Sequence, residues 1–340
     1  MKVKILCFGE IVIDLIEKQD GTLFPKVGGA PLNVAVGLSR LGEKVKFVTS
    51  IGNDWFGEYV HAWLKRNRIE FSARVATGLP TRTAVVFHDE KGERSFRFSP
   101  GLAAENVISP DGILSLSSPR YDVIYFGSLP FAKGNSLPGF KRLITEARRS
   151  GVATVYDPNI RLGLFDSPKA ARSICVQLIE LADIVRLNLD ELHFLANFVE
   201  VRRTGSSLLD SVRKLRGKLP TTFFVTDGTN GSYARKGDKF FYSRALDVKT
   251  VDSTGCGDAY TAALISGFFG TRNSSDIDYA AILRLANAAG SLAATKLGGA
   301  DSMPARNEIE KLLKSGLRGG DKTIRKILIS KTRETRLARS

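Results

Sequence analysis

The chain has 340 residues, of which 43% are hydrophobic, 25% charged and 9% aromatic, values that exclude a collagen, a mucin or a disordered tail and suit one large or two small globular domains. No run approaches the roughly 20 apolar residues of a membrane helix, and the N-terminal apolar stretch ends at Glu10, too early for a secretory leader. Fifty Lys and Arg against 35 Asp and Glu give a formal charge of +15, which suits anionic, phosphorylated ligands, while Cys7, Cys175 and Cys256, distant and odd in number, point to a reducing cytoplasm rather than a disulfide framework.

Strand-like and helix-like runs alternate from the start. Val3 to Phe8 reads as a strand, and Ile11 to Ile16 as another, off the main pattern. Pro31 to Leu41 reads as a helix, with proline in its first turn and Gly42 at its end. Val45 to Ser50, Asp122 to Phe126, Val152 to Tyr156, Ile184 to Leu187 and Thr222 to Thr226 are short apolar runs of the kind found in buried parallel strands. Helical patterns separate them at Leu137 to Ser150, Pro168 to Ala182 and Glu191 to Phe198. The alternation predicts an α/β fold of three layers, αβα, doubly wound around a mostly parallel sheet.

One region departs from this order. Thr81 to His88 and Glu93 to Phe98 are strand signals joined by a turn at Glu90-Lys91-Gly92, with no helix between them. With the Ile11 segment they form an expected small antiparallel sheet, a lid contributed by residues of about 10–28 and 80–101. The domain spans residues 1–316. The tail, 317–340, is basic: eight basic and two acidic residues between Arg318 and Ser340 give it +6. Within it, Ile324, Ile327, Leu328 and Ile329 sit near helical spacing, so a short amphipathic helix is expected over Thr323 to Ser330.

The strongest chemical signal is Asp252-Ser253-Thr254-Gly255-Cys256-Gly257-Asp258, followed by the apolar run Thr261 to Phe269. Gly255 and Gly257 allow backbone N–H groups to converge at a helix start, where the dipole favours an anion. Asp258 in that first turn either caps the helix or stands beside a bound phosphate. No Gly-x-x-x-x-Gly-Lys-Ser/Thr motif is present. The histidines His61, His88 and His193 show no metal spacing with the cysteines, so no zinc is expected.

This segment resembles the C-terminal signature of the ribokinase-like (PfkB) carbohydrate kinases. Gly28-Gly29-Ala30-Pro31-Leu32-Asn33 resembles the N-terminal one. Gly9-Glu10 with Asp14, Asp157-Pro158-Asn159-Ile160-Arg161, Asn188-Leu189-Asp190-Glu191 and Thr226-Asp227-Gly228 with Gly231 fall in the family's order, from about Lys4 to Pro304. Thr81-Arg82-Thr83-Ala84 and Gly92-Glu93-Arg94-Ser95-Phe96 are most similar to the fructokinase branch.

The resemblance implies an ATP-dependent transfer of the γ-phosphoryl group to a primary hydroxyl of a small sugar, with fructose to fructose 6-phosphate as the first expectation. Ribokinase, nucleoside kinase and 2-keto-3-deoxygluconate kinase are the alternatives within the class. It implies Asp258 as the general base, with Gly255, Cys256 and Gly257 facing the transferred group. Cys256 would add sensitivity to thiol reagents. Asp14, Gly28, Gly29, Asn33, Phe98 and Arg161 would meet the sugar. Asn188, Thr226, Gly228, Gly231 and Asn287 would meet ATP, together with Gly255 and Gly257. Glu191 would act on Mg2+ through water, and Asp252, Thr254 and Ser302 would build a monovalent-cation site of the K+ type. Where relatives carry Tyr-Arg after the lid strand, this chain reads Ser99-Pro100, which removes an arginine suited to a sugar-acid carboxylate and favours a neutral sugar. The expected partners are the sugar and ATP, with a homodimer left open and neither membrane nor nucleic acid expected. A rival from another class, an inactive scaffold meeting nucleic acid through the tail, is opposed by the intact Gly255 to Asp258 set.

Overall fold

The computed structural model describes residues 2–17, 20–88, 94–108, 121–196, 205–215, 217–270, 277–316 and 325–328. The chain opens with β1 (Lys4–Phe8), β2 (Val12–Glu17), β3 (Leu23–Gly28), α1 (Ala30–Arg40), β4 (Lys44–Gly52), α2 (Trp55–Arg66) and β5 (Glu70–Ala76). There follow β6 (Thr83–His88), β7 (Arg94–Phe98), β8 (Val123–Phe126), α3 (Leu137–Arg149), β9 (Ala153–Tyr156), α4 (Pro168–Ile179), β10 (Ile184–Asn188), α5 (Leu189–Leu195) and α6 (Gly205–Lys214). The last part holds β11 (Thr222–Thr226), β12 (Ser232–Lys236), β13 (Lys239–Ser243), α7 (Cys256–Gly270), α8 (Tyr279–Ala294), α9 (Arg306–Gly316) and β14 (Arg325–Leu328).

The large sheet runs β14-β13-β12-β11-β10-β9-β8-β1-β4-β5. From β11 to β5 every ladder is parallel, while β12, β13 and β14 extend it antiparallel. The central strands are apolar on both faces, as the wholly buried Val123–Phe126 shows, and both faces are therefore covered by helices. On one side Leu32 and Val36 of α1 pack with Leu264 of α7 and Leu283 of α8. On the other, Phe140 of α3, Leu178 of α4 and Leu192 of α5 pack together. β1 lies between β8 and β4, where the strand order reverses, so a crevice opens at the carboxyl ends of β1 and β8.

The small sheet has the order β3-β2-β6-β7. The expected all-antiparallel arrangement is corrected in part: its outer ladders, β2–β3 and β6–β7, are antiparallel, but the central β2–β6 ladder is parallel. These two strands leave the body at separate points of the chain, so no tight hairpin dictates their relative direction. Arg82, 2% exposed, pins the sheet to the body. Its Nε donates to Glu105 Oε1 at 2.7 Å, Nη2 to Asn106 Oδ1 at 3.2 Å and to the Gly101 carbonyl at 3.1 Å, and Nη1 to the Ser99 carbonyl. One planar fork thus joins the segment entering the lid to the segment leaving it.

Several elements lie beyond the sequence expectation: β3, α2, β5 and the β12–β13 hairpin. The expected tail helix is corrected. Arg325–Leu328 is a strand paired antiparallel with β13, because the edge of β13 offers backbone N–H and C=O groups that a short extended segment can satisfy. The Glu90-Lys91-Gly92 turn, the end of the helix expected to Phe198, and residues 317–324 and 329–340 lie outside the described residues. No helix among the described residues is long and apolar enough to cross a membrane.

The crossing of α1 and α7 is tight. A Cβ at Gly37 would stand 2.7 Å from Ala262 Cβ and 3.4 Å from Met303 Sδ. Gly37→Val is therefore expected to force the helices apart, costing about 1–3 kcal/mol in urea unfolding, the usual scale of overpacking. It should also lower turnover, since both helices carry site residues in their first turns.

Candidate active site

Asp258 stands in the first turn of α7 and Asn33 in the first turn of α1. Their close crossing brings Asn33 Nδ2 to 2.7 Å from Asp258 Oδ2, to which it donates. Asn33 Oδ1 is left buried without a hydrogen-bond partner among the described residues. Burial in the cleft pushes the Asp258 carboxyl up to about 6, with Asp157 adding to the rise and the Asn33 hydrogen bond, Arg186 and Arg161 opposing it. Asp258 is thus a half-buried carboxylate with an affinity for protons close to neutrality. The N–H groups of the first helical turn beside it have no acceptor within the helix, which leaves a positive dipole end at the same spot.

Two cavities meet here. The smaller, about 740 Å³, is lined on one side by Glu10, Asp14, Gly29, Asn33 and Arg161, on the lid side by Phe96 and Phe98, and at its floor by Gly255, Gly257 and Asp258. The backbone explains the glycines. Gly29 has φ of +110°, and a Cβ there would stand 2.8 Å from the Glu10 carbonyl oxygen and 3.1 Å from Ile11 Cα, so only glycine lets the start of α1 lie against the end of β1. Gly28 does not line the cavity; a Cβ there would lie 2.7 Å from Asp14 Oδ2, so its bareness makes room for that carboxylate. Arg161 follows the end of β9 and donates to the Ile160 carbonyl at 3.2 Å.

The larger cavity, about 1090 Å³, is lined by Thr226, Gly228, Gly231, Tyr233, Tyr242, Cys256 and Asn287 among others. Asn287, buried in α8, donates to the Ser243 carbonyl at 3.0 Å and accepts from Ser232 Oγ at 2.9 Å, so it braces this cavity's wall. Cys256 lies here as a neutral thiol: burial, with Asp252 and Asp258, pushes it up to about 12. This opposes the expected sensitivity to thiol reagents, because the thiolate is the reactive form.

Arg186, Asn188 and Gly257 line both cavities and form their shared wall. Arg186 is 7% exposed. Its Nη1 donates to the Asp157 carboxylate at 3.2 Å and its Nη2 to Thr226 Oγ1 at 2.7 Å, while Nε has no partner among the described residues. A Cβ at Gly257 would come 2.9 Å from Arg186 Nη2, so the glycine admits the guanidinium alongside the helix start. Asp157 also accepts from Thr261 Oγ1 at 2.9 Å. Sequence reasoning passed over Arg186 as a site residue, although a lone charge within Ile184–Asn188, an otherwise apolar buried strand, was a signal for it.

Asn188 and Glu191 form a reciprocal cap of α5: Asn188 Oδ1 accepts from the Glu191 N–H at 2.8 Å, and Glu191 Oε2 accepts from the Asn188 N–H at 2.9 Å. Glu191 Oε1 accepts from the Ile160 N–H at 2.8 Å. Glu191 lines neither cavity, and both its oxygens already hold backbone groups. Asp252, Thr254 and Ser302 come together around the 298–302 turn. Asp252 Oδ1 accepts from the Thr254 N–H at 2.9 Å and its Oδ2 from the Gly298 N–H. The buried Ser302 Oγ donates to the Gly299 carbonyl at 2.9 Å. A Cβ at Gly255 would lie 3.1 Å from Ser302 Oγ. Among the described residues no group of three or more His, Cys, Asp or Glu is gathered for a metal ion.

Comparison with known proteins places this geometry. The fructokinase of Klebsiella pneumoniae is 29% identical over 318 residues, covering 92% of this chain and all of that one. Probable fructokinase-4 of Arabidopsis thaliana is 30% identical over 326 residues, covering 92% and 97%. Among solved structures, fructokinase with bound ATP from Xylella fastidiosa superposes with a TM-score of 0.82 at 25% identity, covering 93% of this chain and 100% of that one. The sequence profile of the pfkB family carbohydrate kinases matches residues 2–306. The ribokinase-like αβα fold and this match agree, and the chain belongs to the pfkB family of carbohydrate kinases.

Proposed function

We propose that this kinase transfers the γ-phosphoryl group of ATP to a primary hydroxyl of a neutral sugar, with fructose as acceptor and fructose 6-phosphate as product. The observation that carries this reading is the position of Asp258 on the floor of the smaller cavity, beside the wall shared with the larger one. The smaller, more polar cavity suits a polyhydroxyl sugar. The larger suits ATP, the nucleotide named in the Xylella fastidiosa fructokinase structure, and its tyrosines offer faces to the base.

Asp258 receives a proton from the attacking hydroxyl. An alcohol ionises far above the range of a carboxylate, so Asp258 orients the hydroxyl and accepts its proton late, as the bond to phosphorus forms. The N–H groups of the first turn of α7 and the guanidinium of Arg186 face charge that develops on the transferred group. Arg161 approaches from the other wall. Asp157 and Thr226 hold Arg186 in place, so its charge is oriented before the substrates arrive. Magnesium would be held largely by water beside Asn188, since both oxygens of Glu191 already accept backbone N–H groups, and it would screen the phosphate charges. Asp252, Thr254 and Ser302, with the carbonyls of the 298–302 turn, offer the oxygen donors that a weakly hydrated monovalent cation such as K+ takes up.

Release of ADP across a panel of neutral sugars, sugar acids and nucleosides tests the reading, with fructose expected to be fastest. Asp258→Asn should reduce kcat by at least about a hundredfold and leave the KM for ATP near its wild-type value. Because the base works only when ionised, activity should rise with pH through about 6 and be largely lost one unit below it. Replacing K+ by a larger organic cation should lower turnover, and Ser302→Ala should weaken the response to K+ without abolishing activity; equal rates in the two salts would remove the cation from this reading.

A further inference from the structure

Glu10 is the residue after the tight Gly9 at the carboxyl end of β1, beside the reversal of strand order. It is 2% exposed, yet it is one of the residues that line the smaller cavity, together with Asp14, Asn33 and Asp258. Its Oε2 has no hydrogen-bond partner among the described residues. A Cβ at Gly127, at the end of β8, would lie 3.9 Å from this oxygen, which locates the carboxyl over the β1–β8 crevice.

A carboxyl kept only for the fold is usually bonded through both oxygens, as Glu191 is here. Glu10 instead is a lining residue of the smaller cavity whose Oε2 is buried and unmet, the arrangement expected where a ligand supplies the missing partner. We propose that Glu10 is a sugar-binding residue, its carboxyl hydrogen-bonding a hydroxyl of the acceptor from the wall formed by β1. The proposal rests on the sugar-kinase reading above and adds a contact with the acceptor. The partner is a neutral hydroxyl rather than a carboxylate, since Glu10, Asp14, Asp252 and Asp258 gather four acidic residues around one cavity.

The protonation of Glu10 gives this contact a signature. Burial pushes the carboxyl up to about 8. Glu105, from the segment after β7, and Asp258, from α7, disfavour its ionisation, while Arg161, from the loop after β9, favours it. Tyr125 of β8 also lies within electrostatic reach. Below about 8 the group carries a proton and can donate to a hydroxyl as well as accept from one. Above it the donor is lost and a buried charge appears. Sugar affinity should therefore fall as pH rises through this value, in the opposite sense to the ionisation that Asp258 needs.

The test uses full-length wild type, Glu10→Gln and Glu10→Leu, with sugar binding by calorimetry, which needs no turnover, and steady-state kinetics from pH 6 to 9. Fructose is the probe, with the best acceptor of the panel in its place if another is faster. Glu10→Leu should weaken sugar binding by at least about tenfold while leaving the KM for ATP within about twofold, as loss of one buried hydrogen bond to the sugar requires. Glu10→Gln, which keeps a donor and an acceptor without a titrating proton, should bind like wild type at pH 7. Its affinity should then stay flat to pH 9, where wild type weakens by up to about tenfold per unit. If Glu10→Leu does not fold, the pH comparison of wild type and Glu10→Gln decides alone. Sugar affinities equal in all folded variants, a wild-type affinity flat from pH 7 to 9, or no sugar binding by wild type would overturn the proposal. Binding that follows this pattern without phosphoryl transfer would sustain Glu10 and overturn the kinase reading instead.

Discussion

The bond of 2.7 Å from Asn33 to Asp258 joins the first turns of two helices that are 225 residues apart in the chain. It exists because α1 and α7 approach closely enough for Gly37 to touch Ala262. Most of the site hangs on that crossing. The start of α1 presents Asn33 and the backbone of Gly29 to one cavity, and the start of α7 presents Asp258 together with the N–H groups of its first turn. The helix starts face the same crevice because both helices cover the same side of a parallel sheet, whose connections return the chain in one direction.

Electrostatics sharpen the arrangement. Asp157, Arg186, Thr226 and Thr261 form a buried set beneath the shared wall. A buried ion pair adds little to stability, since desolvation offsets much of the attraction. Its use here is orientation. Arg186 is held by Asp157 and Thr226 in the wall that the two cavities share. Within the same depth, burial raises Asp258 and Glu10 by different amounts. Two carboxyls of one cavity are therefore held at different proton affinities, that of Glu10 above that of Asp258.

The lid follows a different physical rule. Its strands leave and re-enter the body between residues 12 and 98, and a sheet so placed would swing freely without an anchor. The Arg82 fork supplies one by satisfying carbonyls on the outgoing segment and a carboxylate and an amide on the body. The anchored base leaves Phe96 and Phe98 of β7 against the smaller cavity.

Local sequence determined a great deal. The alternation of buried strands and helices set the three layers, and the Gly-Gly-Ala-Pro and Gly-Cys-Gly-Asp segments marked where two helices begin, because glycine at a helix start has few other physical uses. Asp14, Asn33, Arg161 and Asp258 were legible as members of one site only through the order of motifs. Other features depended on contacts between distant segments. Arg186 looks, in sequence, like a stray charge in a strand; its role follows from Asp157 and Thr226, which adjacent strands bring beside it. Glu10 is one acidic residue after a strand until β8 and α1 enclose it. The direction of the β2–β6 ladder was decided by where its two strands leave the body, and the pairing of β14 with β13 by the edge that β13 offers. Periodicity records the surroundings of a residue along its own element. Which side chains share a cavity, and what proton affinity they have there, is set by elements remote in the chain, and only the tertiary structure brings those together.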